Sequence, residues 1–375
     1  MNDAERYMNQ RLMARDMGSC LRHLTINNGL VDFCSNDYLG FSVNETIADQ
    51  SREILSTATR QRSGSTGSRL ISGNSEIAEN AEQLVADFHH TKAALIFNSG
   101  YDANAGLFSC VPERGDVVVY DELIHASVRD GIRLGFARSL SFRHNDLEHL
   151  TKRLSVLNCN KFVAIESLYS MDGDAPDLTE VVKICQEHNA NLIVDEAHAT
   201  GVFGKQGRGM VTEMGLENEV FARVHTFGKA LGCHGAAVVG SPLLKQYLLN
   251  FARSFIFTTA LPPGSFASII AAYEHLKADN QPRDLLRQKI EFFRKGLKDS
   301  VLPASMSFSP IQSIIIPGND NIMRIATDLI AEGFDIRAVR SPTVPAGTER
   351  LRITLHSYNT EEEISRLCGL LNTLL

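Results

Sequence analysis

The chain has 375 residues, of which 43% are hydrophobic and 22% are charged, and its formal net charge is -7. A chain of this length can bury a large core and commonly folds as one large domain with a smaller one. Its acidic balance, with a pI of about 6.0, argues against a general nucleic-acid binder, because neutralising a phosphate backbone requires a basic face. A polyanionic substrate would have to meet a local basic patch.

The seven cysteines are odd in number and scattered, with no Cys-x-x-Cys pair. This pattern is typical of reduced core thiols in a cytosol and not of disulfides or a zinc site. The amino terminus is charged, and no apolar run approaches the ~18 residues of a membrane span. We therefore expect a cytoplasmic protein without a membrane partner.

The first forty residues are expected to form an arm that packs on the body, because Asp32-Phe33-Cys34 is too apolar for a free tail. From residue 41 to residue 264, helical spacing alternates with short apolar runs. This rhythm predicts a large domain with a mostly parallel sheet covered by helices on both faces. The strand candidates are residues 93–97, 116–120, 161–166, 191–195 and 235–239.

The sequence Ala260-Leu261-Pro262-Pro263-Gly264 breaks this pattern, and a long helical region to about residue 300 follows. Short strand candidates at residues 312–316, 335–339 and 351–356 then alternate with helices. Residues 265–375 are accordingly predicted to form a smaller carboxy-terminal α/β domain. The predicted fold class is α/β.

Two segments carry the clearest chemical signal. Asp195 and Lys229 each follow an apolar run and precede glycine-containing turns, so both are expected at one edge of a parallel sheet. A lysine can hold the aldehyde of pyridoxal phosphate (PLP) as a Schiff base, and an aspartate can keep the pyridine nitrogen protonated. A lysine in Thr-x-Gly-Lys is by itself more typical of a solvated turn, so the interpretation depends on the surrounding motifs.

Three further loops fit the same site. Ser99-Gly100-Tyr101 leaves a strand and opens a helix, whose backbone N–H groups suit a phosphate. His125 follows a strand, where an imidazole can stack on a flat ring. The carboxylate-rich run from Glu166 to Asp174 allows a metal site as an alternative, but it has neither paired histidines nor EF-hand spacing. A dinucleotide site is disfavoured because no Gly-x-Gly-x-x-Gly follows an early strand.

On these residues the chain resembles the α-oxoamine synthase family of fold-type I PLP enzymes, from about residue 20 to the end. Several of the matching segments are common turns individually, but seven in family order are specific. They are Ser35-Asn36-Asp37-Tyr38-Leu39-Gly40, Asn98-Ser99-Gly100-Tyr101, His125 with Ser127, Ser170-Met171-Asp172-Gly173-Asp174, Asp195-Glu196-Ala197-His198-Ala199-Thr200-Gly201, Thr226-Phe227-Gly228-Lys229, and the run from Pro342 to Arg352.

The resemblance assigns roles to individual side chains. It implies that Lys229 is the Schiff-base lysine, that Asp195 pairs with the pyridinium nitrogen, that His198 binds the phenolic oxygen of PLP and that His125 stacks on its ring. The remaining cofactor positions are Ser99, Gly100, Tyr101, Ser170, Thr226, Thr258 and Thr259. Arg352 is expected to clamp the amino-acid carboxylate with help from Asn36, and Arg22 and Thr343 to contact the acyl substrate.

The resemblance also implies an activity and an assembly. We expect a homodimer in which Thr258 or Thr259 reaches the partner's phosphate. The expected reaction is a decarboxylative condensation of an amino acid, L-alanine, with a pimeloyl thioester of CoA or of a carrier protein. Phe257 and Thr66 depart from the closest pattern, which weakens the substrate assignment and leaves the chemistry unchanged.

Three rivals stay open at this point. Sister synthases that form 5-aminolevulinate, 2-amino-3-ketobutyrate or sphingoid bases would share every catalytic residue. An aminotransferase would need a different arginine context for its carboxylate. A catalytically silent subunit is disfavoured because such relatives typically lack the lysine, and Lys229 is present.

Overall fold

The structure is a computed structural model that describes residues 2–27, 29–58, 63–299, 301 and 307–375. The chain divides into two compact units. We call residues 36–170 and 175–284 the large unit, and residues 1–35, 171–174 and 285–375 the small unit. The amino-terminal segment thus groups with the carboxy-terminal residues, whereas the sequence suggested three consecutive parts.

The large unit is built on a seven-stranded sheet with the strand order β2-β8-β7-β6-β5-β3-β4. All strands run in one direction except β8, which is antiparallel to both of its neighbours. The strands are β2 (Ala93–Phe97), β3 (Val117–Asp121), β4 (Arg138–Phe142), β5 (Lys161–Glu166), β6 (Asn191–Asp195), β7 (Ala222–Thr226) and β8 (Ala236–Gly240). The predicted α/β fold with a mostly parallel sheet is confirmed.

Helices pack on both faces of this sheet. The helices of the large unit are α2 (Glu45–Thr57), α3 (Glu76–Phe88), α4 (Gly100–Cys110), α5 (Ala126–Leu134), α6 (Leu147–Ser155), α7 (Leu178–Glu187), α8 (Met210–Glu213), α9 (Pro242–Phe251), α10 (Arg253–Ile256) and α11 (Pro263–Ala278). Helix α12 (Gln281–Gly296) begins in the large unit and continues in the small one.

Alternate residues of β3, β5 and β6 enter two separate cores. Val118 and Ala164 pack with Leu107 of α4 and Val128 of α5 in one core. Val117, Val119 and Val163 pack in the other core, which includes Leu150 of α6 and Val181 of α7. Because both faces are covered, most of these strands are nearly continuous apolar runs, which is the pattern of parallel sheets.

The strand directions place the functional loops at one edge of the sheet. Glu166 and Asp195 end β5 and β6 and are register partners. Phe97 at the end of β2 and Thr226 at the end of β7 both pair with Ala236. The segments after β2, β3, β5, β6 and β7 therefore leave the sheet at the same edge, where ligands bind in open α/β sheets.

The small unit contains a three-stranded antiparallel sheet with the order β11-β12-β9 and a two-stranded parallel pair, β1 with β10. Its strands are β1 (Val31–Asp32), β9 (Ile311–Ile315), β10 (Phe334–Asp335), β11 (Arg337–Val339) and β12 (Arg350–Thr354). Its helices are α1 (Asp3–Met17), α13 (Asn319–Ala331) and α14 (Glu361–Leu374). Among the described residues, no helix is both long enough and apolar enough to cross a membrane.

Candidate active site

A chain of hydrogen bonds leads from Lys229 into the large unit. Lys229 lies three residues after β7, and its Nζ is 2.9 Å from Nε2 of His198. Nδ1 of the same imidazole is 2.7 Å from the hydroxyl of Tyr38, which donates to Oδ1 of Asn36 at 3.2 Å. The His198 ring therefore bridges Lys229 and the Tyr38–Asn36 pair. The network holds the ring in place with Nε2 toward Lys229.

Asp195 ends β6 with both carboxylate oxygens occupied. Oδ2 accepts from Nδ2 of Asn104 at 2.7 Å, and Oδ1 accepts from the backbone N–H of Ala197 at 2.9 Å. The residue is only 7% exposed. These two donors orient the carboxylate of Asp195 at the sheet edge.

Asn104 connects this carboxylate to His125. Nδ2 of Asn104 also donates to the hydroxyl of Ser127 at 3.0 Å, and that hydroxyl is 2.7 Å from Nδ1 of His125. His125 precedes α5, and its backbone N–H donates to Oε1 of Glu166 at 2.7 Å. The ring is therefore held from two sides. Partial burial lowers the pKa of His125, against the opposing effect of the Asp195 carboxylate, and favours the neutral ring.

Glu166 is the buried carboxyl group between these loops. It ends β5 and is 3% exposed. Burial first, and then the negative charge of Asp195, raises the pKa of Glu166 to about 8. At neutral pH this carboxyl group is mainly protonated. Of the two carboxyl groups at this edge of the sheet, Asp195 therefore supplies the negative charge. Glu166 accepts the hydrogen bond that orients His125.

The amino terminus of α4 and the end of β7 lie side by side, and we call Ser99, Gly100 and Thr226 the cradle. Ser99 caps α4, and its hydroxyl accepts from the N–H of Asp102 at 3.1 Å. A Cβ on Gly100 would lie 2.6 Å from the hydroxyl oxygen of Thr226, so only glycine fits here. Helix amino termini attract anions through free N–H groups and the helix dipole. Ser99, Gly100 and Thr226 are therefore together, as their expected shared role requires.

The other expected cofactor residues lie around this cradle in different ways. Nδ2 of Asn98 donates to the hydroxyl of Thr258 at 3.0 Å and to the carbonyl of Thr259 at 2.9 Å, which ties their segment to the residue before Ser99. Ser170 is half-buried in the loop after β5. Tyr101 is 48% exposed and donates its hydroxyl to Asp130 at 2.7 Å.

The remaining expected substrate residues belong to the small unit. Arg22 and Thr343 are in contact, with 3.3 Å between Nη2 and the hydroxyl oxygen, and both are exposed. Arg352 lies on β12, half-buried, and donates to the hydroxyl of Thr354 at 3.0 Å. Each of these side chains thus has a hydrogen-bond partner within the small unit.

The residues of the large unit fit PLP. An amine at Lys229, a buried carboxylate at Asp195 and the cradle at Gly100 supply a covalent anchor, a partner for a pyridinium and a phosphate site. Sequence motifs alone gave no role to Asn104, Tyr38 or Glu166. Tyr38 lies inside the family segment Ser35 to Gly40. Its position in that segment is the sequence signal that could have indicated a role for it.

Comparison with known proteins agrees with this arrangement. The profile of the aminotransferase class I and II family matches residues 28–371. An 8-amino-7-oxononanoate synthase from Emericella nidulans is 43% identical, over 98% of this chain and 94% of that protein.

Solved structures show the same similarity. A serine palmitoyltransferase from S. paucimobilis with bound PLP–myriocin aldimine superposes with a TM-score of 0.90 and 28% identity, covering 99% of this chain and 96% of that one. An 8-amino-7-oxononanoate synthase from Francisella tularensis has a TM-score of 0.79 and 29% identity, covering 92% and 98%. The chain therefore belongs to the aminotransferase class I and II family and, within it, to the α-oxoamine synthases, as a PLP-dependent acyltransferase of fold type I.

Proposed function

We propose that this enzyme condenses L-alanine with a pimeloyl thioester, of CoA or of a carrier protein, to give 8-amino-7-oxononanoate, the free thiol and CO2 in biotin synthesis. The observation that carries the proposal is the 43% identity to an 8-amino-7-oxononanoate synthase over nearly the full length of both proteins. Other 8-amino-7-oxononanoate synthases and putative ones are 38–40% identical over 88–91% of the chain.

The proposed roles of the large-unit residues follow from their contacts. Bound PLP supplies an electron sink for the negative charge that develops at the substrate Cα. Lys229 anchors the cofactor and, once displaced by the amino acid, uses Nζ to remove and return the Cα proton. Asp195 holds a proton on the pyridine nitrogen, and Asn104 orients the carboxylate of Asp195 through a hydrogen bond.

His198 and His125 have complementary tasks in this proposal. Nε2 of His198 lies 2.9 Å from Nζ of Lys229, so the imidazole orients the amine and binds the phenolic oxygen nearby. The ring of His125 stacks on the cofactor and polarises the new ketone. The phosphate is held by Ser99, Gly100 and Thr226, and Ser170 lies near the cofactor.

The substrate carboxylates require cations. Arg352 is proposed to bind the amino-acid carboxylate with its planar fork, together with Asn36. Arg22 and Thr343 are proposed to contact the acyl chain, and a cation at Arg22 suits the distal carboxylate of a dicarboxylic acyl group. The partners are thus small molecules or an acyl carrier, and the assembly is proposed to be a homodimer with Thr258 or Thr259 near the partner's phosphate.

The decisive experiment is a matrix of kcat/KM values. L-alanine, glycine and L-serine are each paired with pimeloyl-CoA, succinyl-CoA, acetyl-CoA and palmitoyl-CoA. We expect the highest value for alanine with pimeloyl-CoA. A methylene group changes binding by only about 1–3 kcal/mol, so glycine should retain measurable activity. The highest value for glycine with succinyl-CoA would instead assign a 5-aminolevulinate synthase.

One observation favours a second candidate. The serine palmitoyltransferase structure superposes with a higher TM-score, 0.90, than the 8-amino-7-oxononanoate synthase structure, 0.79. Because backbone similarity reports the fold and not the pocket, the sequence identity has more weight here. The same matrix separates the two, since a sphingoid-base enzyme would prefer serine with palmitoyl-CoA.

A further inference from the structure

A buried polar cluster lies directly behind the strand ends that carry the cofactor residues. We call Glu196, Thr200, His225, His89 and Arg223 the His225 cluster. Glu196 follows Asp195, and His225 precedes Thr226. The side chains of Glu196 and His225 are both 0% exposed. Burying polar groups costs free energy unless they form hydrogen bonds. Each polar atom of these two side chains is therefore expected to have a hydrogen-bond partner.

The hydrogen bonds of Thr200 determine the tautomer of His225. The Thr200 hydroxyl has one proton, and it donates that proton to the backbone carbonyl of Glu196 at 2.7 Å. The same oxygen lies 2.8 Å from Nδ1 of His225. Nδ1 must therefore carry the ring proton and donate to Thr200. The neutral ring then has an unprotonated Nε2 that needs a donor.

The available donor is a carboxyl group. Nε2 of His225 and Oε2 of Glu196 have no hydrogen-bond partner among the described residues, and they face each other at 3.9 Å. The other oxygen, Oε1, already accepts from the N–H of Val211 at 3.0 Å. A Cβ on Gly209 (φ +103°) would lie 2.3 Å from Oε2, so glycine leaves this oxygen its space. A hydrogen bond between the two atoms requires their separation to shorten to about 2.8 Å.

We propose that Glu196 carries a proton on Oε2 and donates it to Nε2 of His225, forming a neutral buried pair that positions Asp195, His198 and Thr226. Both residues are positioning residues, since neither is assigned a contact with cofactor or substrate. The positioning part of the inference rests on the proposed function of those three residues.

Backbone geometry connects the pair to the site. The N–H of Glu196 donates to the carbonyl of Val224 at 2.8 Å, and its carbonyl accepts from Ala199 and Thr200 at 3.0 and 2.8 Å. These bonds form the turn that presents Asp195 and His198. A side-chain bond from Glu196 to His225 would fasten that turn to β7, one residue before Thr226. The pair would thus fix the spacing between the pyridine-binding and phosphate-binding residues.

Burial favours the neutral form of both side chains. Burial raises the pKa of Glu196, and this outweighs the opposing effects of Arg223 and the hydrogen bonds to its carboxyl group. Burial, the stacked His89 ring and Arg223 lower the pKa of His225. His89 lies 3.6 Å away, ring centre to ring centre, and Nη2 of Arg223 donates to its carbonyl at 2.6 Å. Protonation of His225 would place a second positive charge close to the buried guanidinium of Arg223.

The first test observes the tautomer itself. The full-length enzyme, saturated with PLP, is labelled with 15N-histidine, and the His225 ring nitrogens are assigned by comparison with His225→Gln. We expect a neutral ring with the proton on Nδ1 and a hydrogen-bonded Nε2 in the wild type and in Glu196→Gln, whose amide can also donate. In Glu196→Leu the Nε2 resonance should shift to that of an unbonded nitrogen. A doubly protonated ring, or a proton on Nε2, would overturn the proposal.

Two variants separate competing explanations. The Ser167 hydroxyl is buried, has no hydrogen-bond partner at normal distance among the described residues, and lies beside the Glu196 carboxyl group, whose pKa it lowers. Ser167→Ala should leave the His225 resonances unchanged, and a change like that of Glu196→Leu would show that Ser167, not Glu196, is the donor to Nε2. Thr200→Val removes the acceptor of Nδ1 and should release the tautomer preference. This variant keeps the test informative if Glu196→Leu fails to fold.

The second test measures positioning. Glu196→Leu should weaken PLP binding about tenfold, as expected for one lost buried hydrogen bond, with Glu196→Gln close to wild type. The expected tautomer with unchanged PLP affinity in Glu196→Leu would overturn the positioning role and leave the pair purely structural. A failure of the proposed function would appear elsewhere, as PLP bound at a residue other than Lys229 with the His225 tautomer intact.

Discussion

The reactive side chains of this site are aimed by residues distant in the sequence. Tyr38 contacts His198 across 160 residues, and Asn104 orients Asp195 across 91. A motif describes neighbours along the chain, so it proposes Lys229, Asp195 and His198 as site residues but not the groups that contact them. Asn104 lies in the middle of α4 among apolar residues, and without tertiary contacts it carries no signal.

At the residue scale, the first prediction concerns the covalent anchor. Lys229→Ala should abolish turnover, because it removes both the anchor and the base. Borohydride reduction of the wild type followed by peptide mass spectrometry should place the pyridoxyl group on Lys229. Lys92→Ala, at an exposed lysine, serves as the control and should keep full activity. An adduct on any other lysine would refute the assignment.

A second residue-scale prediction concerns Asn104. Asn104→Ala leaves a buried oxygen of Asp195 without its donor, which costs about 1–3 kcal/mol. We expect weaker PLP binding, measured by titration of cofactor absorbance, and a lower unfolding midpoint. Asn191→Ala is the matched control, since Asn191 donates to Asn160 at the opposite end of the strands. Equal losses of PLP affinity in both variants would show that the effect is general and not specific to the site.

At the scale of elements, one carboxylate joins four segments of the large unit. Glu82 of α3 is 1% exposed and accepts from the backbone N–H of Ile96 in β2 at 3.1 Å. It also pairs with Arg69, in the π-helical turn Arg69–Gly73, at 2.9 Å and with Lys245 of α9 at 2.8 Å. Its role is structural, because it holds β2 and the loop that leads to Ser99.

Replacing this carboxylate should therefore be severe. Glu82→Leu leaves the buried Arg69 guanidinium unpaired, and breaking a buried ion pair typically costs about 3–5 kcal/mol. We expect that loss in the free energy of unfolding from urea titration. Glu79→Leu makes the same change at an exposed position of the same helix and should cost far less. Similar losses for the two variants would argue against a central role of the ion pair.

The strands illustrate what apolar patterns reveal and what they miss. The five predicted strands of the large unit each agree with an observed strand to within one residue at either end. Strand β4 was not predicted, since it lies at the sheet edge and alternates Arg138-Ser139-Leu140-Ser141-Phe142. Strand β7 is central, but Arg223 and His225 interrupt its apolar pattern. These polar residues are tolerated there because they are paired within the buried cluster, and only the tertiary structure shows this.

At the scale of the whole molecule, buried histidines make stability depend on pH. His89 is fully buried, and burial followed by the charge of Arg223 lowers its pKa well below the usual range. The folded chain keeps His89 neutral, whereas the unfolded chain binds a proton near pH 6.5. The contribution of neutral His89 to the free energy of unfolding is therefore complete above about pH 6.5. It decreases as the pH falls, by up to about 1.4 kcal/mol per pH unit.

Unfolding titrations between pH 7.5 and pH 5, conditions chosen around the usual histidine pKa of about 6.5, check this prediction. His89→Gln should flatten the dependence of unfolding free energy on pH, since glutamine does not titrate. His23→Gln, at an exposed histidine, should leave the slope unchanged. A slope in His89→Gln equal to that of the wild type would contradict the prediction.

The last prediction concerns assembly. The large unit exposes several apolar side chains, with Leu134, Phe136 and Phe257 each 70–71% exposed, and exposed apolar surface often marks an interface. Phe257 immediately precedes Thr258 and Thr259, so a partner that covers it would approach the segment tied to Asn98. We expect a homodimer in sedimentation equilibrium, with sites that use residues of both chains.

Mixing inactive chains tests whether the sites are shared. Lys229→Ala and the double variant Thr258→Ala/Thr259→Ala should each be impaired as homodimers. If each site combines one chain's Lys229 with the partner's threonine segment, a mixed dimer places both defects in one site and leaves the other site intact. Co-refolded chains should then regain part of the PLP binding and activity. Lack of recovery despite proven mixed dimers would place the threonines in their own chain's site, and a fully active monomer would exclude the dimer requirement altogether.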